Sequence, residues 1–237
     1  MSTTVPRPAV SKQDLPLVTR RGGAWGAFWA TLAVIALAVL VERDWAPLVD
    51  IDTGVLETVR RWALRNDWAV EVSLWLQSAG SFRVAAWVGV AGVLLLLARR
   101  RYWQALTLAL LASLAPLVAN LIKPLVARER PIWDVYLATE DSFSYPSGHA
   151  TCGIAVYLAV GVALGALLRN RVAGAFVVLA FSLVGIAIGL SRIVLGVHYP
   201  SDVVGGWCVA IAFAGLLGAL FVLPPYEPHL KAARLRH

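Results

Sequence analysis

Charged side chains are scarce in this sequence. Asp, Glu, Lys and Arg together make up 15% of 237 residues, while 59% are hydrophobic and the mean hydropathy is +0.71. Soluble domains carry about 25% charge, so an ordinary soluble domain is excluded. Cysteine is nearly absent as well. Cys152 and Cys208 lie inside apolar runs with no CxxC or other ligand spacing, which reads as two small buried hydrophobes and leaves the redox compartment open. Histidine occurs four times, and His229 and His237 fall in the C-terminal tail. No internal repeat, low-complexity tract or second domain is visible. The net charge of +7 suggests a nucleic-acid partner at first sight. However, the basic residues form short clusters between apolar runs instead of covering one face. They read as topology signals, and nucleic acid is not an expected partner.

Six apolar segments take up most of the chain, near residues 24–41, 84–98, 103–122, 150–168, 172–190 and 203–223. Crossing a bilayer core takes about 20 residues, which all six reach or nearly reach, the second being the shortest. The expected fold class is therefore all-α: a polytopic membrane protein with six transmembrane helices. A single domain over 24–223 lies between an N-terminal tail, 1–23, and a C-terminal tail, 224–237. The first segment follows Arg7, Lys12, Arg20 and Arg21, as a signal peptide would. Its apolar stretch is longer than a signal core, and Glu42, Arg43 and Asp44 stand where small residues would mark cleavage, so it reads as a retained helix.

Orientation follows from the loops. Arg99 to Arg101, Arg169 with Arg171, and Lys231, Arg234 and Arg236 join the N-terminal cluster on one side, which holds 12 of the 21 Lys and Arg. That side should be cytoplasmic, with both termini on it. The stretch 42–83 then falls outside. Val55, Leu56, Val59, Trp62 and Ala63 follow helical spacing there, and Trp68, Trp75 and Leu76 continue the face. This pattern predicts an external helical segment lying in the membrane interface.

Three strings carry reactive residues: KPLVARERP (123–131), YPSGH (145–149) and SRIVLGVHYPSD (191–202). By the same parity all three emerge on the extracytoplasmic face. They supply Lys123, Arg130, Arg192, Ser147, His149, His198 and Asp202. Fixed cations and a hydroxyl suit phosphate oxygens, and two imidazoles can divide attack on phosphorus from protonation of the leaving oxygen. Lys123 and Arg130 would share a side if the helix continued through both, although Pro124 argues against an undisturbed helix. YPSGH reads as a helix start in which Ser147 caps and Gly148 lets a ligand approach free N–H groups. Tyr199 should be extended before Pro200, which opens the next helix. Asp202 then sits beside His198, where it can hold Nδ1–H and leave Nε2 free to attack. Arg128, an extra cation nearby, reads as a solvated loop charge ahead of a lipid-headgroup or diphosphate contact.

The order K-x6-RP, PSGH, SR-x5-H-x3-D resembles the signature of the type-2 phosphatidate phosphatase superfamily, which joins integral-membrane lipid phosphate phosphatases with soluble vanadium haloperoxidases. Every signature position is filled: Lys123, Arg130, Pro131; Pro146, Ser147, Gly148, His149; Ser191, Arg192, His198, Asp202. The resemblance implies that His198 is the nucleophile of a phosphohistidine intermediate, Asp202 its orienting partner, and His149 the acid for the leaving oxygen. It further implies phosphate binding by Lys123, Arg130, Ser147, Gly148 and Arg192. No metal and no other cofactor is implied.

The expected activity is hydrolysis of a lipid phosphate at the outer face of the plasma membrane. Polyprenyl diphosphate leads the candidate substrates, followed by phosphatidate and phosphatidylglycerophosphate. A phosphotransferase with a lipid or glycan acceptor keeps the same site. A non-catalytic lipid-binding or transport protein would use its cations only to hold anions. A haloperoxidase holding vanadate conflicts with the six apolar segments. The sequence leaves the oligomeric state open.

Overall fold

A computed structural model describes residues 20–221. The C-terminal tail 224–237 and residues 1–19 of the N-terminal one lie outside the described residues. Every regular element among the described residues is helical: α1 (Arg20–Glu42), α2 (Ala46–Ala63), α3 (Asp67–Gly80), α4 (Phe82–Ala98), α5 (Tyr102–Val126), α6 (Gly148–Cys152), a π-helical stretch (Gly153–Leu158), α7 (Ala159–Leu167), α8 (Arg171–Val194) and α9 (Pro200–Phe221). A helix satisfies its own backbone inside lipid, which is why a chain this apolar adopts one helix after another.

Five helical stretches are long and apolar enough to cross a bilayer: Arg21–Glu42, Tyr102–Val126, Gly148–Leu167, Arg171–Val194 and Pro200–Leu220. The sixth predicted segment behaves differently. α4 has only 17 residues, and it reaches spanning length together with α3, from which it is bent by 57°. Ser81 makes the break by capping α4, its Oγ accepting from Val84 N–H at 3.4 Å. The fold is a polytopic helical bundle.

Small residues let the helices approach closely, as they must where lipid removes the hydrophobic drive between them. A Cβ on Gly215 of α9 would lie 2.6 Å from the Gly23 carbonyl oxygen of α1, and one on Gly23 would lie 2.8 Å from the Gly215 oxygen. Gly153 and Gly185 make the same contact between the π-helical stretch and α8, at 2.7 and 2.6 Å. Core side chains fill the rest, with Ala85, Leu96, Leu108, Val156 and Ile188 in one cluster. Trp25, Phe28, Trp29, Leu32 and Ile35 point out of α1, apolar and exposed as a lipid-facing surface must be.

The stretch 42–83 is helical as expected, and most of its apolar stripe points outward and not into the bundle. Leu56 and Ala63 do turn inward, whereas Val55, Trp62, Trp68 and Trp75 are exposed. The buried face of α2 runs Asp52, Leu56, Arg60, Ala63, so two charged residues occupy it. The reason is what it packs on. Leu56 sits against Ala150, Ile193 and Val203, at the ends of α6, α8 and α9, where the polar site begins.

Candidate active site

α5 ends where KPLVARERP begins to turn. Ala127 takes a left-handed conformation (φ 49°) and its N–H closes on the Lys123 carbonyl at 2.8 Å, so Arg130 leaves the helix. The helix thus does not continue from Lys123 to Arg130, although it is Ala127, and not Pro124 inside α5, that ends it. The two cations meet by another route, through the loop that precedes YPSGH. Lys123 Nζ donates to Phe143 O at 2.5 Å and Ser142 Oγ at 3.2 Å, while Arg130 Nε donates to Ser142 O at 2.6 Å. Arg60 fixes the outer part of this loop. Its guanidinium donates to Val135 O and stacks 4.3 Å from the Trp133 ring, whose Nε1 donates to Gly196 O at 2.7 Å.

YPSGH starts α6 as its sequence dictates. Ser147 Oγ accepts from Ala150 N–H at 3.4 Å, the ordinary N-cap bond. The Ser147 N–H donates to Asp202 O at 2.9 Å, joining the second string to the third. A Cβ on Gly148 would meet nothing within 4 Å, so open space lies in front of this turn.

The third string is the most tightly held. Pro200 opens α9, and the Tyr199 N–H donates to Asp202 Oδ2 at 2.9 Å. His198 Nδ1 lies 3.3 Å from the same oxygen, and Ser144 Oγ donates to it at 2.5 Å. On the other side of the ring, Arg130 Nη1 stands 3.1 Å from Nε2. A guanidinium has donors only, so Nε2 accepts and the imidazole proton sits on Nδ1, facing Asp202. This is the tautomer a nucleophilic Nε2 requires. Burial lowers the His198 pKa to about 3 against the pull of Asp202, so the ring is neutral at physiological pH.

Arg192 is fully buried at the end of α8. It donates to Gln77 Oε1 of α3 and, at 2.6 Å, to Glu140 Oε1. The same Glu140 oxygen lies 3.7 Å from His149 Nδ1. A carboxylate therefore joins Arg192 to His149. Buried Arg192 Nε has no partner among the described residues.

Five contributors were not visible as site residues in the sequence: Gln77, Glu140, Ser144, Asp52 and Ser201. Asp52 alone left a trace, falling four residues before Leu56 on one helical face. Arg128 also corrects the reading of it as a solvated charge. Its guanidinium bridges Asp52 Oδ2 and Asp202 Oδ1, both at 2.7 Å, and lies 4.0 Å from the Tyr199 ring. Burial opposes its charge, but Asp202 and Asp52 outweigh that and hold it protonated more firmly than usual.

An open cavity of about 610 Å³ adjoins these groups, lined among others by Lys123, Arg130, Glu129, Glu140, Asp141 and Phe143. It meets the histidines through two of its own walls, since Arg130 touches His198 and Glu140 approaches His149. The structure thus gathers all three strings at one end of the bundle. What it offers chemically is a neutral imidazole with a directed lone pair, ringed by cations that suit phosphate oxygens.

Comparison with known proteins identifies the family. Residues 101–222 match the PAP2 superfamily. Decaprenylphosphoryl-5-phosphoribose phosphatase of Mycobacterium tuberculosis is 38% identical over 136 residues, covering 56% of this chain and 67% of that protein. Its counterpart in Mycolicibacterium smegmatis is 41% identical over 131 residues, 52% of this chain and 63% of that one. The matched region thus spans about two thirds of the length of these relatives. The crystal structure of a transmembrane PAP2-type phosphatidylglycerolphosphate phosphatase from Bacillus subtilis superposes with a TM-score of 0.72 at 22% identity, covering 86% of this chain and all (100%) of that one. With its signature residues joined in one site at the end of a membrane bundle, the chain belongs to the PAP2 superfamily, as a multi-pass lipid phosphatase.

Proposed function

We propose that this phosphatase removes the terminal phosphate of a polyprenyl-anchored substrate at the extracytoplasmic face of the plasma membrane, through a phosphohistidine on His198. The observation that carries the reading is the protonation pattern of His198. Arg130 donating to Nε2 leaves Nδ1–H for Asp202, so the attacking lone pair is already aimed away from the carboxylate. In the first step Nε2 bonds to phosphorus as the bond to the leaving oxygen breaks, and His149 gives that oxygen its proton. In the second, water attacks phosphorus, the N–P bond breaks and His149 takes up the water proton, releasing phosphate. Arg130, Lys123, Arg192, Ser147 and the Gly148 N–H hold the phosphoryl oxygens, where charge is concentrated in the transition state.

Two observations guide the choice of lipid. The mycobacterial relatives act on a decaprenylphosphoryl sugar phosphate. The cavity carries Glu129, Glu140 and Asp141 beside its cations. Those acids accept hydrogen bonds from sugar hydroxyls and repel a second phosphate. We therefore rank a polyprenylphosphoryl sugar phosphate first and polyprenyl diphosphate second, ahead of phosphatidate and phosphatidylglycerophosphate.

The test is phosphate release from these four lipids by purified protein in detergent, with and without chelator. The proposal expects the highest kcat/KM on the sugar phosphate and no effect of EDTA. Preference for a glycerolipid would overturn the substrate class. Activity abolished by EDTA and restored by magnesium would overturn the metal-free mechanism.

A further inference from the structure

We infer that Asp52 and Arg128 are positioning residues for the nucleophile, so that α2 belongs to the catalytic machinery. This rests on the reading of His198 as the nucleophile. Asp52 lies outside both the signature strings and the family match at 101–222.

The carboxylate of Asp202 is the link. Its Oδ2 serves three donors at once, His198 Nδ1, Ser144 Oγ and the Tyr199 N–H. Its Oδ1 is held by Arg128 Nη1 at 2.7 Å. With one oxygen fixed by Arg128, the carboxylate cannot rotate, and Oδ2 stays in register with the imidazole. Arg128 is held in turn from its far side. Its Nη2 donates to Asp52 Oδ2 at 2.7 Å, and its Nη1 also reaches Ser201 Oγ at 2.8 Å. Asp52 is only 1% exposed and is anchored twice more, by the Ser201 N–H at 2.9 Å and Ser201 Oγ at 2.5 Å.

Charge gives the second half of the argument. One guanidinium faces two carboxylates that are both almost wholly buried. If Arg128 faced Asp202 alone, it would neutralise the charge that must support His198 as Nε2 bonds to phosphorus and the ring becomes cationic. Sharing Arg128 with Asp52 leaves net negative charge on the group, and that charge favours the cationic ring. Asp52 therefore acts through Arg128 on both the orientation and the charge of Asp202, without touching substrate.

The test combines rapid-quench phosphoenzyme kinetics with a mutant cycle. Wild-type protein is first mapped with labelled substrate. Label on His198 upholds the premise, and label elsewhere removes both the premise and this inference. Asp52→Asn and Arg128→Lys are then compared; the lysine keeps charge but cannot reach both carboxylates. Each should slow phosphoenzyme formation by roughly 10–100-fold, the loss seen when the group that orients a metal-ligating histidine is removed, with KM little changed. In an Asp202→Asn background, Asp52→Asn should add almost nothing, because both act through the same carboxylate. With label on wild-type His198, three results would each overturn the inference: wild-type rates in the variants, a raised KM with kcat kept, or losses that multiply in the double mutant. If Asp52→Asn fails to fold, Arg128→Lys and its double mutant with Asp202→Asn decide the same question.

Discussion

Replacing Asp202 by asparagine puts an amide where the structure demands four acceptances. Oδ2 receives His198, Ser144 and the Tyr199 N–H, and Oδ1 receives Arg128. An amide has one acceptor and one donor end. With nitrogen at the Oδ2 position it would face three donors. The variant should therefore turn its nitrogen toward Arg128, which keeps the Nδ1–H tautomer of His198 but sets two donor groups against each other. Breaking one partner out of a buried ion pair costs about 3–5 kcal/mol, and the low end applies because Asp52 still holds Arg128. Folding should survive, with a stability loss of about 3 kcal/mol.

The rate should fall further than stability. The carboxylate charge that favours a cationic His198 is gone, and the corresponding change in a Ser-His-Asp enzyme costs about 10⁴ in kcat. That factor corresponds to about 5.5 kcal/mol of barrier. Here the retained tautomer should soften the loss to roughly 10²–10⁴. The assay is rapid-quench formation of the phosphoenzyme, with vanadate inhibition as a measure of the intact oxygen cradle. A variant within tenfold of wild type would refute the charge argument. Normal phosphoenzyme formation with weakened vanadate binding would assign Asp202 to the cradle instead.

His149→Ala should slow phosphoenzyme formation on a lipid alkoxide by roughly 10²–10⁴ and much less on p-nitrophenyl phosphate, whose leaving group needs no proton; equal losses on both would make His149 a binding residue. Thr139→Cys, at an exposed loop position next to Glu140, should react with an impermeant thiol reagent in intact cells once Cys152 and Cys208 are replaced, and protection until lysis would put the site in the cytoplasm. The His198 imidazole takes a proton below about 6.5 when unfolded but only below about 3 when folded. Its contribution to stability is therefore complete above pH 6.5 and is lost as pH falls toward 3, at up to about 1.4 kcal/mol per pH unit. Unfolding in detergent across this range should show that slope in wild type and a shallower one in His198→Asn, and parallel curves would contradict it.

Much of the site was legible because its signals are local. Ser147 caps α6 and Pro200 opens α9 from sequence rules alone, and Asp202 in the first turn of α9 comes only four residues after His198. Loop parity brought the three strings to one end of the bundle. Where the reading stopped short, the deciding partner was distant in sequence. Pro124 leaves open whether one helix carries both Lys123 and Arg130; Ala127 ends that helix, and Ser142 and Phe143 gather the two cations instead.

The sequence by itself determined the medium and the helical class and singled out the candidate site residues, because hydropathy runs and short motifs are properties of neighbouring positions. Only the tertiary structure decided which charges are buried. Asp52 and Arg60 carry no local sign of burial, since they share a helix with the apolar stripe of Val55 and Trp62 that reads as facing the membrane interface. In the fold the acid and the base face inward, and Val55 and Trp62 lie exposed. A buried charge is tolerated only where a partner meets it. Those partners, Arg128 and Ser201 for Asp52 and the Val135 carbonyl for Arg60, lie 75 to 149 residues away. That distance is closed only when α2 packs across the ends of α6, α8 and α9.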